Sequence, residues 1–249
     1  MSGHSKWSTI KHKKAATDAR RGKLFTKVIR ELTSAARAGG GDVESNPRLR
    51  TAVAAAKGAN MPGDTIERAI KKGTGDLEGE VYEEVVYEGY GAGGVAVLVD
   101  VLTDNKNRTV AEVRHLFSKH GGSLGEHGCA AHIFDRKGFI TLEALQIEED
   151  DLFELVADAG GDDIKADGEA YEIYTEPEAF EAVRTALEEH GLTIDLAEVT
   201  MVPQTTVELE GKQAEQVLRF LDALDDNDDV RKAYANFDIS DDVMAELSA

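Results

Sequence analysis

The hydrophobic period of this chain changes near residue 74, and this change limits the possible fold more than any other feature. Between residues 17 and 73, apolar residues recur every three or four positions, as they do along one face of a helix. After residue 74, valine-rich runs such as GVAVLVDVL lie between glycines and alternate with helical stretches. This pattern is typical of a chain in which strands alternate with helices. The pattern predicts a helical domain followed by domains that pack helices on sheets.

Three helices are predicted before the change of period. The first, within GKLFTKVIRELTSAARAGGG, places Lys23, Lys27 and Arg30 nearly opposite its apolar residues, so these cations are expected on a solvent-facing stripe. The second is expected to begin after Asn46 as N-cap, with a proline at its first position. The third, GDTIERAIKKG, is expected to stop at Gly73.

After residue 75, short strands and helices alternate. CAAHIFD and GFITLE are predicted as two strands around the turn RKG, and RTVAEVRHLFSKHG as a helix with a capping box of Thr109 and Glu112. The prediction is an α+β multidomain fold: an N-terminal three-helix domain followed by two α/β-sandwich domains, the third inserted in the second. The expected boundaries are 1–75 for the basic arm and helical domain, 76–130 with 202–240 for domain two, and 131–201 for domain three.

Charge is divided sharply along the chain. The formal net charge is +10 over residues 1–72 and −30 over residues 73–249, which together make the −20 of the whole chain. The density of cations in the N-terminal segment is typical of a segment that binds a phosphate backbone. The single tryptophan, Trp7, could stack on a base or pack against the helical domain. Docking of the cations on the chain's own acidic part is the alternative. The candidate nucleic-acid-binding residues are Lys6, Trp7, Lys11, His12, Lys13, Lys14, Arg20, Arg21, Lys23, Lys27 and Arg30.

Other motifs carry weaker signals. Asn105, Lys106, Asn107 and Arg108 precede a predicted helix, where they could form a secondary polar loop that contacts an anion, or simply an ordinary capped loop. GYGAGG contains the G-x-G-x-x-G spacing but is followed by a strand, so no cofactor is predicted. His115, His120, His127, Cys129 and His132 fit no metal-ligand spacing. The acidic runs EEDD and DDNDD are expected to be solvated surface.

Nothing in the spacing supports an enzyme, because no nucleophile–base or paired-carboxylate arrangement can be argued from it. The single cysteine allows no intramolecular disulfide, which fits a reducing compartment. No apolar run approaches the length of a membrane span, so a cytoplasmic protein is expected.

Several long motifs resemble one family. GHSKWSTIKHKKAATDARRGKLFTKVIREL, NPRLRTAVAAAKGANMPGDTIERAIKKGTG, TDNKNRTVAEVRHLFSKHGGSLGEHG and DDNDDVRKAYANFDI closely resemble the YebC/PmpR family, related to the mitochondrial translational activator of cytochrome c oxidase subunit I. The resemblance covers essentially the whole chain. It implies the same three-domain fold, and a non-catalytic regulator of gene expression.

The resemblance implies that function in two forms. One is transcription regulation through DNA binding at promoters; the other is RNA binding as a ribosome-associated translation factor that relieves stalling at proline-rich stretches. The expected partner is therefore rRNA in the ribosome or promoter DNA, with basic ribosomal proteins facing the acidic domains, and the protein is expected to be a monomer. The alternative is a protein-interaction module whose basic arm docks on an acidic partner or on its own acidic domains.

Overall fold

The computed structural model describes residues 18–167 and 170–240; the side chains of residues 18–21 and 167 are outside this description. Within it, the chain forms seven α-helices and ten β-strands. The helices are α1 (Asp18–Gly39), α2 (Pro47–Gly58), α3 (Gly63–Thr74), α4 (Lys106–Lys119), α5 (Glu149–Asp158), α6 (Phe180–Glu189) and α7 (Gly211–Asp225). The strands are β1 (Glu83–Tyr90), β2 (Ala96–Thr103), β3 (Ser123–Leu124), β4 (Phe134–Glu143), β5 (Asp163–Asp167), β6 (Ala170–Thr175), β7 (Ile194–Pro203), β8 (Val207–Glu208), β9 (Val230–Ala235) and β10 (Phe237–Asp238).

The first three helices form a small bundle, as predicted. Asn46 caps α2, because its side-chain oxygen accepts a hydrogen bond from the Leu49 N–H at 3.0 Å, and Pro47 is the first helical residue. The bundle has its own aliphatic, alanine-rich core, against whose edge the partly buried Phe25 packs. Its buried members are Val28, Leu32, Ala35, Ala36, Leu49, Ala52, Val53, Ala56, Met61, Ile66 and Ala69.

The end of α3 differs from the prediction. The helix stops at Gly75, which has the left-handed conformation with φ of 88°, and not at Gly73. Gly73 is buried against α1, where a Cβ atom would lie 2.4 Å from the carbonyl oxygen of Thr33. The glycine at this position therefore allows two helices to approach closely.

The strands form two four-stranded antiparallel sheets and one short parallel pair. The first sheet has the order β3-β1-β2-β9, the second has the order β5-β6-β4-β7, and β8 pairs with β10. One face of the first sheet packs against α4 and α7, and one face of the second packs against α5 and α6. The predicted α+β class is confirmed.

The second sheet is nested in the first along the chain. All of its strands lie between β3 and β9, which are both strands of the first sheet. We infer from this nesting that residues 131–201 form a domain inserted into one made of residues 76–130 and 202–240.

Strand β4 corrects the prediction of two strands around the turn RKG. It runs unbroken from Phe134 to Glu143, and Arg136, Lys137 and Gly138 pair with three successive residues of β7. At Gly138 a Cβ atom would lie 2.2 Å from the hydroxyl oxygen of Thr175. The glycine therefore marks a close approach within the sheet and not a turn.

The outer face of the first sheet, turned away from α4 and α7, meets two different neighbours. At one end, Ala96 and Leu98 pack with Phe134 and with Met201 of the second sheet in an apolar cluster. At the other end, charged side chains meet the helical bundle. The second contact brings the cations of α1 to acidic residues.

Candidate nucleic-acid interface

The candidate binding residues divide between the arm and the first helix. We define the arm as residues 1–21. Lys6, Trp7, Lys11, His12, Lys13 and Lys14 lie outside the described residues. Arg20 and Arg21 lie in the first turn of α1, but their side chains are outside the description. The geometry of the interface can therefore be followed from Lys23 onward.

The predicted solvent stripe on α1 is wrong for its inner two cations. The side chains of Lys27 and Arg30 are only 18% and 15% exposed, because α1 lies against the end of α7 and the turn that follows it. The predicted solvated surface of DDNDD is confirmed for Asp226 and Asp228, which are exposed, but it is wrong for Asp229, which is buried. This acidic segment, residues 225–229, supplies the groups that cover the stripe.

Each cation of the stripe binds the acidic segment. Lys23 forms an ion pair with Asp226 at 3.0 Å. Lys27 donates to the backbone carbonyl of Asp225 at 2.6 Å and to its carboxylate at 3.3 Å. Carbonyls at the end of a helix carry partial negative charge, so a lysine there is doubly favoured.

Asp229 is the buried centre of this contact. Arg30 donates to one carboxylate oxygen. Arg108 donates to the other oxygen at 2.6 Å, and the hydroxyl groups of Thr109 and Thr103 donate to it at 2.5 and 3.1 Å. Burial alone would raise the pKa of Asp229, but the donors from Arg108, Thr109 and Arg30 outweigh it and lower the pKa to about 2. The carboxylate is therefore ionised and fully bonded.

The loop of Asn105, Lys106, Asn107 and Arg108 is arranged as a helix start. Asn105 caps α4, and its side chain accepts from the Arg108 N–H at 3.1 Å. The predicted capping box is wrong, because α4 begins at Lys106 with Asn105 as its N-cap, and Thr109 therefore lies inside the helix, where its hydroxyl group binds Asp229. Lys106 pairs with a β1 glutamate at 2.5 Å, whereas Asn107 is exposed. Binding of an anion by this loop stays a prediction.

A second ion-pair group joins the bundle to the outer face of the first sheet. β9 contains a bulge at Arg231, which turns this side chain toward Asp100 at 2.7 Å and Glu31 of α1 at 3.2 Å. Arg48 of α2 pairs with Glu31 at 2.7 Å and with Glu84 at 2.5 Å. Burial raises the pKa of Asp100 despite Arg231, and the neighbouring carboxylates add to this rise. No sequence period predicts these contacts, since they join segments far apart in the chain.

The candidate binding residues leave out three exposed cations on the bundle. Arg37, Lys57 and Arg68 are exposed, and within the described residues none of them has an ion pair with a carboxylate. They lie on three different helices, one on each. They extend the positive charge of the bundle beyond the stripe on α1.

A groove of about 500 Å³ lies between α4 and α7, where Leu116 and Ala223 adjoin Glu112, His115 and Asp226. In residues 18–167 and 170–240, no three His, Cys, Asp or Glu side chains are placed to hold a metal ion. None of the helices in the same ranges combines the length and apolar character that a membrane span needs.

Comparison with known proteins agrees with this architecture. Residues 5–76 match the TACO1/YebC protein N-terminal domain, and residues 82–237 match the TACO1/YebC second and third domain. A protein of Desulforapulum autotrophicum is 63% identical over 98% of each chain, and one of Trichlorobacter lovleyi is 60% identical over 99% of this chain and 100% of its own. Both are named probable transcriptional regulatory protein.

A solved structure is also similar. The crystal structure of the conserved hypothetical protein Aq1575 from Aquifex aeolicus has a TM-score of 0.77 and 50% sequence identity. The match covers 90% of this chain and 93% of that one. The arrangement of helices and sheets is therefore shared with an experimentally determined structure.

Proposed function

Because the chain belongs to the TACO1/YebC family, we propose that it is a non-catalytic regulator of gene expression that binds nucleic acid through its basic arm. The names of its relatives support a regulatory role. The observation that carries the proposal is the charge of the arm, which places six Lys and Arg between Lys6 and Arg21 in a chain of net charge −20. Such a segment gains affinity for a phosphate backbone by releasing counterions.

We further propose that the physiological partner is RNA in the ribosome. A helix that reads duplex DNA presents its side chains to the major groove, but the cations of α1 face carboxylates of the acidic segment. An arm with one tryptophan suits looped or single-stranded RNA, where an aromatic ring can stack on an unpaired base. The protein would then act as a cytoplasmic translation factor that relieves stalling at proline-rich stretches.

The acidic part of the chain has a role in this proposal. Residues 73–249 carry a net charge of −30, which repels phosphates and attracts basic protein surfaces. Basic ribosomal proteins are therefore proposed as neighbours of the two sheets. The exposed Asn107 and Lys106, whose ion pair with Glu83 is half-exposed, are proposed as a secondary contact to RNA, while Arg108 is held by the buried Asp229.

The test is sedimentation with purified ribosomes over a salt series, with a promoter-length DNA duplex as competitor. The variant carries Lys11→Ala, Lys13→Ala, Lys14→Ala, Arg20→Ala and Arg21→Ala. We expect the parent to sediment with ribosomes and to lose binding steeply as salt rises. The variant should bind at least about tenfold more weakly at low salt and show a shallower salt dependence.

A matched control removes the same amount of charge elsewhere. It carries Arg114→Ala, Lys119→Ala, Lys165→Ala, Lys212→Ala and Arg219→Ala, all exposed positions outside the helical bundle. If both variants lose affinity equally, net charge and not the arm carries binding. If the duplex displaces the protein from ribosomes at low concentration and with sequence preference, promoter DNA is the partner.

The ion pairs of α1 favour one second candidate, a protein-interaction module whose basic arm docks on an acidic surface. Lys23, Lys27 and Arg30 show that this chain's cations do bind its own carboxylates. Under this alternative the parent would fail to sediment with ribosomes at low salt. Small-angle scattering would then detect expansion of the protein when the five arm cations are removed.

A further inference from the structure

The ion pairs between α1 and the acidic segment become more exposed toward the arm. At Arg30 and Asp229, the side chains are 15% and 4% exposed. At Lys27 and Asp225 they are 18% and 45% exposed, and at Lys23 and Asp226 they are 44% and 68% exposed. One end of the contact, at Arg30, is therefore buried, and the other end, at Lys23, is exposed to solvent and directly follows the arm in the sequence.

This gradient separates the pairs by strength. Exposed ion pairs contribute little to stability, because water screens them and two flexible side chains must be held in place. A buried pair is costly to break, since it leaves an uncompensated charge. Lys23 is therefore available to another anion, and Lys27 becomes available only once the more exposed pair of Lys23 and Asp226 has opened. Arg30 is fixed by Asp229 and also donates to the carbonyl of Asp228 at 2.9 Å.

We propose that the acidic segment is a built-in competitor of nucleic acid for the first helix. This inference rests on the proposed function. RNA held by the arm extends along α1 and takes Lys23 from Asp226 and then Lys27 from Asp225. The Arg30–Asp229 pair stays closed and keeps the bundle on the first sheet. The acidic segment thereby lowers the affinity for phosphate chains until an RNA is long enough to reach beyond the arm.

The test measures binding of a fluorescent 20-nucleotide single-stranded RNA to the full chain at low salt. In the variant with Asp225→Asn and Asp226→Asn, we expect the dissociation constant to fall about three- to tenfold. The control variant carries Asp150→Asn and Asp151→Asn at the exposed start of α5, which removes the same charge from the same residue type. The control should change the dissociation constant by less than about twofold.

A double-mutant cycle shows whether the gain acts through the two lysines. In a background with Lys23→Gln and Lys27→Gln, the change of Asp225 and Asp226 should no longer strengthen binding. A gain that persists without the lysines, or an equal gain in the control variant, would show a general charge effect and overturn the proposal. So would parent-like binding by the Asp225 and Asp226 variant.

The two proposals fail in different ways. If the parent binds no RNA at any salt concentration, the proposed function is wrong. The proposed competition between the acidic segment and RNA is then wrong as well. If the parent binds RNA and the arm variant does not, while the aspartate changes have no effect, only the competition is wrong. Circular dichroism and urea unfolding of each variant show that altered binding does not come from altered folding.

Discussion

The two halves of the first sheet's outer face are held by different forces. In one half, Ala96 and Leu98 are buried against Phe134 and Met201 from the second sheet's end. In the other half, Asp100 lies under Arg231, and the helical bundle is attached by arginine–carboxylate pairs. The same strands therefore carry an apolar contact at one end and an ionic contact at the other.

The difference predicts how each neighbour responds to solution conditions. Apolar burial depends little on salt or pH, so the inserted sheet should stay attached over a wide range of conditions. Ion pairs weaken as salt screens them and as carboxylates become protonated. The helical bundle, which carries the candidate RNA-binding helix, is therefore the neighbour whose attachment solution conditions can change.

The largest effect is expected in the apolar half. Phe134→Ala should lower the free energy of unfolding by about 4 kcal/mol, because it removes a 5%-exposed aromatic ring and leaves a cavity. Urea unfolding measures this loss. The matched control is Phe153→Ala, where the ring is 61% exposed and the loss should be below about 0.5 kcal/mol. Equal losses in the two variants would show that the apolar contact does not hold the sheets together.

The next largest effect is expected at the buried end of the ionic contact. Asp229→Ala should cost about 3 kcal/mol, since it leaves Arg30 and Arg108 facing each other without their shared carboxylate. Asp228→Ala is the control, because Asp228 is exposed and contributes its backbone carbonyl to the contact, which the substitution keeps. A loss at Asp229 no greater than at Asp228 would mean that the pair is not the anchor of the bundle.

Acid should release the same anchor. The pKa of Asp229 lies at about 2 in the folded chain, below its ordinary 3.8, so its ionisation stabilises the fold above pH 4 by about 2 kcal/mol. This contribution is lost as pH falls through the folded pKa, with about 1 kcal/mol gone at pH 3. The measurement is the difference in unfolding free energy between the parent and Asp229→Asn at pH 6 and at pH 3. A difference that does not shrink toward pH 3 would contradict the lowered pKa.

Most of the fold could be predicted from local pattern, because helix and strand periods are encoded within a few residues. The helical period of α1, the N-cap at Asn46 and the valine-rich run of β2 can each be recognised from neighbouring residues alone. The predictions failed where a distant partner decides. Thr109 had the right chemistry for an N-cap, but α4 is capped by Asn105, and the Thr109 hydroxyl group binds Asp229, far along the chain. Gly73 had the right chemistry for a helix stop, but packing against α1 explains it.

The candidate site could be predicted only in part for the same reason. Composition identified the cations of the arm and of α1, and helical period placed Lys23, Lys27 and Arg30 on one face. Neither could show that this face meets residues 225–229, because charge complementarity between distant segments leaves no periodic signal. Residues 225–229 were predicted to be solvated surface because their partners on α1 can be identified only from the tertiary fold.

The smallest expected effect tests the middle of the ionic contact, between the buried Arg30 and the exposed Lys23. Lys27→Ala should cost about 1 kcal/mol at 0.05 M salt, because it removes the bonds to the Asp225 carbonyl and carboxylate. In 1 M salt, where the screening length falls to about 3 Å, the cost should drop below about 0.5 kcal/mol. The loss from Phe134→Ala should be the same at both salt concentrations. If instead the losses from Lys27→Ala and Phe134→Ala responded equally to salt, the contrast between the ionic and apolar halves of the sheet's outer face would be wrong. There would then be no reason to regard α1 as accessible to a competing polyanion.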